Sequence, residues 1–251
     1  MQKFKISGRL NALMEQAAKL EKKLSSIADI GTDHGYLPYT MFDKKMIEKS
    51  ILCDINKGPL ENAIQTFEGS DYAKLSSFRL GSGIDPLKPS EVDLVYIAGM
   101  GGGLIQDILS KNIEKSKSFA FYVLQPMTEQ DVLRSWLLEN GFNILWDHFI
   151  KDAHKYYEII VVTTGSDEEV GKADYDLIPI LSDDLEFGKA ILRSQVKDYL
   201  IFLDFKEKKY QNILSQIKKE AQSEPSDKVT LCNEKLETIA KIRSSFMHQY
   251  K

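Results

Sequence analysis

Between residues 26 and 140 the chain alternates short apolar runs of strand type with amphipathic stretches of helical type, and this limits its fold more than any other feature. Ile27-Ala-Asp-Ile30 reads as a buried strand closed by a glycine. Strand-type runs recur at residues 50–53, 94–97, 119–124, 142–146 and 159–162, with a weaker one at 77–80. Helical patterns lie between them at 59–67, 104–109 and 129–138. Such a chain is expected to form a mostly parallel, doubly wound α/β sheet. The runs at 142–146 and 159–162 are separated only by the polar stretch 151–157, so they are expected to pair as an antiparallel hairpin at the sheet edge. An amphipathic helix precedes the first strand, with Leu10, Leu13, Met14, Ala17, Leu20 and Leu24 at helical spacing.

Past Gly165 the texture changes. Residues 167–186 carry eight acids against one lysine, and two helical stripes follow without any strand pattern. Val196, Leu200, Leu203, Tyr210, Leu214 and Ile217 recur within 190–221, and Leu231, Leu236, Ile239, Ile242 and Phe246 within 229–246. Pro225 in Ser223-Glu-Pro-Ser226 marks the break between them, so an antiparallel, coiled-coil-like helical pair is expected. The division is then a sheet domain at 1–165 and a helical C-terminal domain at 166–251, with the helices forming a core of their own.

No apolar run is long enough to cross a bilayer, and Met1-Gln-Lys-Phe-Lys lacks the apolar stretch of a signal peptide. Cys53 and Cys232 are too few for a disulfide framework. A cytoplasmic protein is expected. The net charge of −4 averages unlike segments: residues 1–25 carry six Lys/Arg against two acids, and residues 187–251 thirteen against eight. The two ends are therefore basic enough to meet a phosphate backbone, although a solvated helix surface explains the same counts. His148, His154 and His248 have no metal-ligand spacing, and no metal is expected.

The residues suited to chemistry gather where strands end. Asp29-Ile-Gly-Thr-Asp-His-Gly35 follows the first strand and precedes a helix starting near Leu37. Gly31 permits a sharp turn and close approach of a ligand to backbone, and Gly35 permits close packing beneath it. Asp33 stands where a dinucleotide fingerprint needs its second glycine, so a pyrophosphate would be repelled while a cationic sulfonium would be tolerated. Asp54 ends the next strand about 20 residues on, where an acid can accept hydrogen bonds from a ribose diol; alone, such an acid is more often a helix cap, here for the segment starting near Pro59, and it gains weight beside the first loop. Gly81-Ser-Gly-Ile-Asp85 offers backbone to an adenine. Ile97-Ala-Gly-Met-Gly-Gly-Gly103 holds four glycines in five residues, costly in entropy for a purely structural turn, so a planar group is expected to approach it.

Taken together, Ile6-Ser-x-Arg9-Leu, Asp29-Ile-Gly-x-Asp33-His-x-Tyr-Leu-Pro38, Ile97-Ala-Gly-Met-Gly-Gly102, Leu124-Gln-Pro126 and Tyr157-Glu-Ile resemble the bacterial tRNA adenine-N1 methyltransferases of the TrmK type, which modify adenine 22. The resemblance covers residues 6–163. It implies a Rossmann-like class I methyltransferase sheet with an antiparallel edge hairpin, a helical C-terminal domain, S-adenosylmethionine as methyl donor and tRNA as substrate, in a monomer without metal or membrane. Cofactor contacts would fall on Asp29, Gly31, Asp33, His34, Asp54, Ile55, Gly81, Ser82, Gly83, Ala98 and Gly99. The catalytic face would hold Asp33, Gly99 and Met100. Ser82 departs from the acid that methyltransferases often place there for the adenine amine, which leaves a backbone contact in its stead.

The chemistry can be argued apart from the resemblance. Adenine N1 carries a free lone pair, so the enzyme must expose the Watson–Crick edge and align it rather than remove a proton. The base gains positive charge as it is methylated, which a carboxylate such as Asp33 would stabilise; alternatively Asp33 caps the helix after it. The loop 98–101 lacks the side-chain acceptor and aromatic plate of exocyclic-amine methyltransferases and suits a ring nitrogen held by backbone and Met100. Tyr156, Tyr157 and Lys155 could contact RNA or be ordinary half-buried strand residues. Three other readings fit parts of the pattern: a methyltransferase for another RNA, a protein or a small molecule; a nicotinamide oxidoreductase, disfavoured by Asp33 and the terminal hairpin; and a non-catalytic RNA-binding module.

Overall fold

The structure is a computed structural model that describes residues 6–20, 24–165, 175–220 and 227–249. Helix α1 (Gly8–Ala18) opens on Ser7, whose hydroxyl accepts the Leu10 N–H at 3.2 Å, and buries Ala12, Leu13, Met14 and Ala17. It ends at Ala18, short of the expected Leu24. Leu20 and Leu24 are buried all the same, so the apolar spacing marked core positions beyond the helix end. There follow β1 (Ser26–Ile30), α2 (Tyr36–Asp43), β2 (Lys49–Asp54), α3 (Lys57–Phe67), β3 (Ser76–Leu80), β4 (Leu94–Met100), α4 (Gly102–Ser110), α5 (Ile113–Lys117), β5 (Phe121–Pro126), α6 (Gln130–Glu139), β6 (Asn143–Asp152) and β7 (Lys155–Thr163).

The seven strands form one sheet in the order β3-β2-β1-β4-β5-β7-β6. Strands β1 to β5 are parallel, and β7 runs antiparallel between β5 and β6. The expected hairpin is present, with its first strand at the edge and its second inserted. Nearly every residue of β1, β2 and β5 is buried, as strands covered by helices on both faces must be. Leu13, Met41, Phe67 and Trp146 fill one side of the sheet; Val95, Ile105, Leu109 and Leu133 fill the other. The order reverses between β1 and β4, which opens a crevice at the strands' carboxyl ends. The β6–β7 ladder continues to Asp152 opposite Lys155, whereas the β5–β7 register stops at Leu124 opposite Ile160. The hairpin tip therefore rises above that crevice.

Two short strands, β8 (Leu177–Pro179) and β9 (Ala190–Leu192), pair antiparallel in the region expected to lack strands. Three residues are too few to display alternation, and β9 occupies the start of what the apolar stripe marked as helix. Helix α7 (Val196–Glu220) begins only at Val196, and α8 (Asp227–Gln249) packs against it; the break expected at 223–226 lies outside the described residues. Their core is shared with the sheet: Tyr199, Phe202 and Leu203 of α7 and Ile239, Ile242 and Phe246 of α8 bury with Phe149 of β6, whose ring centroid lies 4.1 Å from that of Phe202.

A buried ionic seam joins the same parts. Arg134 of α6, fully buried, meets Asp147 and Glu158 at 2.8 Å each and donates to the Leu185 carbonyl. Lys206 of α7 reaches Glu158 at 3.6 Å and Glu186 at 2.8 Å, and Lys235 of α8 reaches Glu186 at 3.0 Å. No helix among the described residues is long and apolar enough to cross a membrane.

Candidate active site

Backbone hydrogen bonds tie the loops after β1, β2 and β3 to one another, and the end of β4 to the loop after β5. Gly31 and Thr32 donate to the Cys53 carbonyl at 2.8 and 3.2 Å, Gly81 donates to the Asp54 carbonyl at 2.9 Å, and Met127 donates to the Met100 carbonyl at 2.7 Å. Gly31 has φ +73°, and a side chain there would collide with the Met100 methyl group. Glycine adopts the left-handed turn without strain and leaves the Met100 methyl in place.

On one side of Gly31 lies a cleft of about 290 Å³, lined by Gly31, Asp54, Ile55, the 81–83 turn, Met100 and Leu104. Asp54 is 8 % exposed; its Oδ1 accepts the Asn56 N–H at 2.9 Å, and its Oδ2 has no hydrogen bond among the described residues. The residue at the N-cap of α3 is Asn56, not Asp54, so Asp54 shapes a local turn and keeps one oxygen for a ligand. Ile55 and Leu104 are exposed apolar side chains at the rim. Backbone turns, apolar walls and one carboxylate suit a nucleoside: the walls cover a purine and the acid accepts from a ribose diol.

On the other side lies a smaller cavity of about 100 Å³, lined by Arg9, Asp29, Thr32, Asp33, His34 and Ala98 among others. Asp29 is buried, and the Thr32 hydroxyl donates to its Oδ2 at 2.7 Å. Burial pushes the Asp29 carboxyl up to about 6 against the opposing pull of Thr32 and Arg9. Asp33 adopts φ +51°, a left-handed conformation that costs a non-glycine residue roughly 1 kcal/mol or more. Its side chain is 69 % exposed, 3.6 Å from His34 Nε2. The residue at the N-cap of α2 is Gly35, with no side-chain cap, so the capping role that the sequence allowed for Asp33 is not the one it plays. The strained backbone instead holds a charge at the mouth of the cavity. The His34 ring stacks on Tyr36, with centroids 5.1 Å apart and planes 10° apart.

The glycine loop after β4 divides its labour. Gly99 lies beside Arg9, whose Nη1 would stand 3.6 Å from an added Cβ. Gly102 is structural: a Cβ there would strike the Glu129 carbonyl and come within 2.8 Å of the Thr128 carbonyl. Packing thus accounts for Gly102 within the cluster.

The candidate residues thus meet at the strands' carboxyl ends: Asp54, Ile55, Gly81, Ser82, Gly83 and Met100 around the larger cleft, Asp29, Asp33, His34 and Ala98 around the smaller, Gly31 in both linings, and Gly99 beside Arg9. Ser82 is exposed there. No role for Arg9, Thr32 or Gln125 was legible in the sequence. Arg9 lay inside a motif, but only the fold brings residue 9 beside residue 125, where its Nη1 donates to Gln125 Oε1 at 2.8 Å. No group of three metal-ligating side chains exists among the described residues. His148 is a buried core residue, pushed down to about 3 chiefly by its burial.

Residues 6–160 match the family described as a methyltransferase domain. The tRNA (adenine(22)-N(1))-methyltransferase of Bacillus subtilis (strain 168) is 32% identical over 166 residues, which is 66% of this chain and 68% of that protein. A crystal structure of the B. subtilis m1A22 tRNA methyltransferase TrmK superposes with TM-score 0.71 at 27% identity, over 95% of this chain and 98% of that one. Streptococcus pneumoniae Sp1610, a candidate tRNA (m1A22) methyltransferase solved in complex with S-adenosyl-L-methionine, superposes with TM-score 0.74 at 26% identity, over 95% of this chain and 99% of that one.

Proposed function

The chain belongs to the family of bacterial tRNA (adenine(22)-N(1))-methyltransferases, and we propose a division of labour among its residues for that reaction. The enzyme methylates N1 of adenine 22 in tRNA with S-adenosylmethionine as donor. The observation that carries the reading is the pair of cavities meeting at Gly31, one fitted to a nucleoside and the other edged by the carboxylates of Asp29 and Asp33. Bound S-adenosylmethionine supplies an electrophilic methyl group on a sulfonium.

The chain's own residues bind, orient and balance charge. Asp54 accepts from the ribose diol through its free Oδ2, while Ile55, Leu104 and the 81–83 turn cover the purine; Ser82 offers backbone rather than an acid. Gly31 and Met100 define the passage between the cavities. Asp29 and Asp33 supply negative potential where positive charge sits before and after transfer, and the Ala98–Gly99 backbone with Met100 backs the acceptor ring. No general base is required, because N1 carries no proton to remove. The observed loop agrees, since it presents backbone where an exocyclic amine would need a side-chain acceptor.

Residues 1–165 form the methyltransferase domain and 166–251 the helical domain, in a cytoplasmic monomer that holds tRNA without a metal. The thirteen Lys/Arg against eight acids in residues 187–251 support a role for that end in RNA contact. Labelled S-adenosylmethionine incubated with unmodified bulk tRNA, with bulk protein and with a small-molecule extract tests the assignment. Label in tRNA alone is expected; label in either other pool, or none, overturns it.

A further inference from the structure

Arg9 is a cation placed where the reaction makes cations. Its position is built with care: α1 is anchored on the hairpin tip because the Arg9 N–H donates to Asp152 Oδ2 at 2.9 Å, and its guanidinium lies 5.8 Å from the Tyr157 ring centroid. Nη1 donates to Gln125 Oε1 at 2.8 Å. Gln125 is fully buried, and its amide nitrogen is committed to the Pro126 carbonyl at 3.1 Å and Met127 Sδ at 3.3 Å, so its oxygen is locked toward Arg9. The guanidinium has five N–H donors, of which Gln125 takes one. Among the described residues no carboxylate forms an ion pair with it, and it lines the cavity that Asp29 and Asp33 edge.

A cation that Asp29 feels only at a distance, with no carboxylate in contact, repels both a sulfonium and a methylated adenine there, and the low local dielectric enlarges the penalty. A neutral partner such as Gln125 orients the group without discharging it. The arrangement makes sense if an anion arrives with a ligand, and the fork of remaining donors matches a phosphate or carboxylate. Location separates the two sources. The nucleoside cleft is built on the ends of β1, β2 and β3 with Met100 and Leu104, whereas Arg9, although it shares its cavity with the loop after β1, is held by Gln125 at the end of β5, lies beside Gly99 of β4 and rests on the β6–β7 tip. That is the acceptor's side of the sheet.

We infer that Arg9, oriented by Gln125 and by the hairpin tip, clamps the backbone phosphate of the nucleotide to be methylated. This rests on the proposed reaction and adds to it the means by which the extruded base is held at a fixed depth. The clamp also cancels the guanidinium charge at the moment of transfer, which leaves the carboxylates free to stabilise the base.

Wild type, Arg9→Gln and Arg9→Lys, each checked by a thermal melt, are compared in two equilibria without turnover. One is S-adenosylmethionine binding by calorimetry, and the other is binding of an unmodified tRNA transcript between 50 and 200 mM salt. Arg9→Gln is expected to leave cofactor affinity within about twofold, to weaken tRNA binding about tenfold, and to flatten the plot of log affinity against log salt by about one. Arg9→Lys is expected to restore the slope but only part of the affinity, since it keeps the charge and loses the fork. Weakened cofactor binding with unchanged tRNA binding would assign the guanidinium to the cofactor's carboxylate and overturn the inference. An unchanged salt slope would overturn it as well. Failure of the wild type to methylate tRNA would instead reject the reaction, and is read separately.

Discussion

Asp29 and Asp33 sit on one turn four positions apart, yet their surroundings assign them different work. Asp33 is exposed and held at φ +51°, a conformation that Asn tolerates as well as Asp. Asp33→Asn therefore tests charge alone: the single-turnover rate at saturating cofactor is expected to fall at least tenfold, about 1.4 kcal/mol of barrier, with an unchanged melting temperature. A rate within threefold of wild type would remove Asp33 from the chemistry. Asp29 is buried and its folded value of about 6 lies above the ordinary 3.8, so the folded state holds the extra proton between those values. The ionised form then costs stability, by on the order of 2–3 kcal/mol once pH passes 6. Asp29→Asn, which still accepts from Thr32, is expected to melt higher than wild type at pH 7.5 and to converge with it near pH 4. A variant that melts lower at pH 7.5 would contradict the burial argument. Asp33 was legible in the sequence as an anomaly, an acid where a phosphate loop needs glycine. Its freedom from capping was not, because a cap depends on where the helix starts, and Gly35 rather than Asp33 stands at that start.

Among the elements, the strand-to-loop junctions were the most legible. Each apolar run that ends in Gly or Asp became a strand end at the rim, because glycine and acid at that point are demanded by turn and ligand rather than by packing. Asp54 illustrates the two demands on one side chain, with Oδ1 in a local turn and Oδ2 toward the cleft. Asp54→Ala is expected to weaken S-adenosylmethionine binding by roughly tenfold or more, the loss of hydrogen bonds to the diol at about 1–3 kcal/mol, while tRNA binding changes little. Equal loss of both affinities would point to collapse of the rim. Strands β8 and β9 were illegible since a three-residue strand has no period to detect. Within the cluster of four glycines, Gly102 answers to the Thr128 and Glu129 backbone, which a sequence cannot place beside it.

For the molecule as a whole, the layout of strands, crossovers and helices followed from periodicity, but the union of the two parts did not. Phe149, beyond the strand-type run at 142–146, belongs to the helical core, and Arg134, Lys206 and Lys235, to which no sequence pattern pointed, are enclosed around Glu158 and Glu186. Burial alone would raise the Glu186 carboxyl, but Lys206, Tyr210 and Lys235 outweigh it and hold the group down to about 2. Its folded value is below the ordinary 4.5, so its contribution is complete above pH 4.5 and is lost as pH falls toward 2. Glu186→Gln is expected to cost about 2–3 kcal/mol at pH 7 and to make stability less sensitive to acid between pH 4.5 and 2, followed by denaturant unfolding at each pH. Parallel pH curves for the two proteins would show that the seam is not ionic in effect. Sheet and helices are joined in this way by one apolar cluster and one ionic seam.

The account rests most heavily on the atom that is methylated. The direct measurement compares two synthetic tRNAs, one with adenosine and the other with 1-deazaadenosine at position 22, in transfer of label from S-adenosylmethionine. The adenosine tRNA is expected to take up about one methyl group per molecule, recovered as 1-methyladenosine, and the 1-deaza tRNA none, since a carbon replaces the lone-pair nitrogen. Label on the 1-deaza tRNA at the level of the first would contradict the account, because the acceptor would then be another atom or another nucleotide.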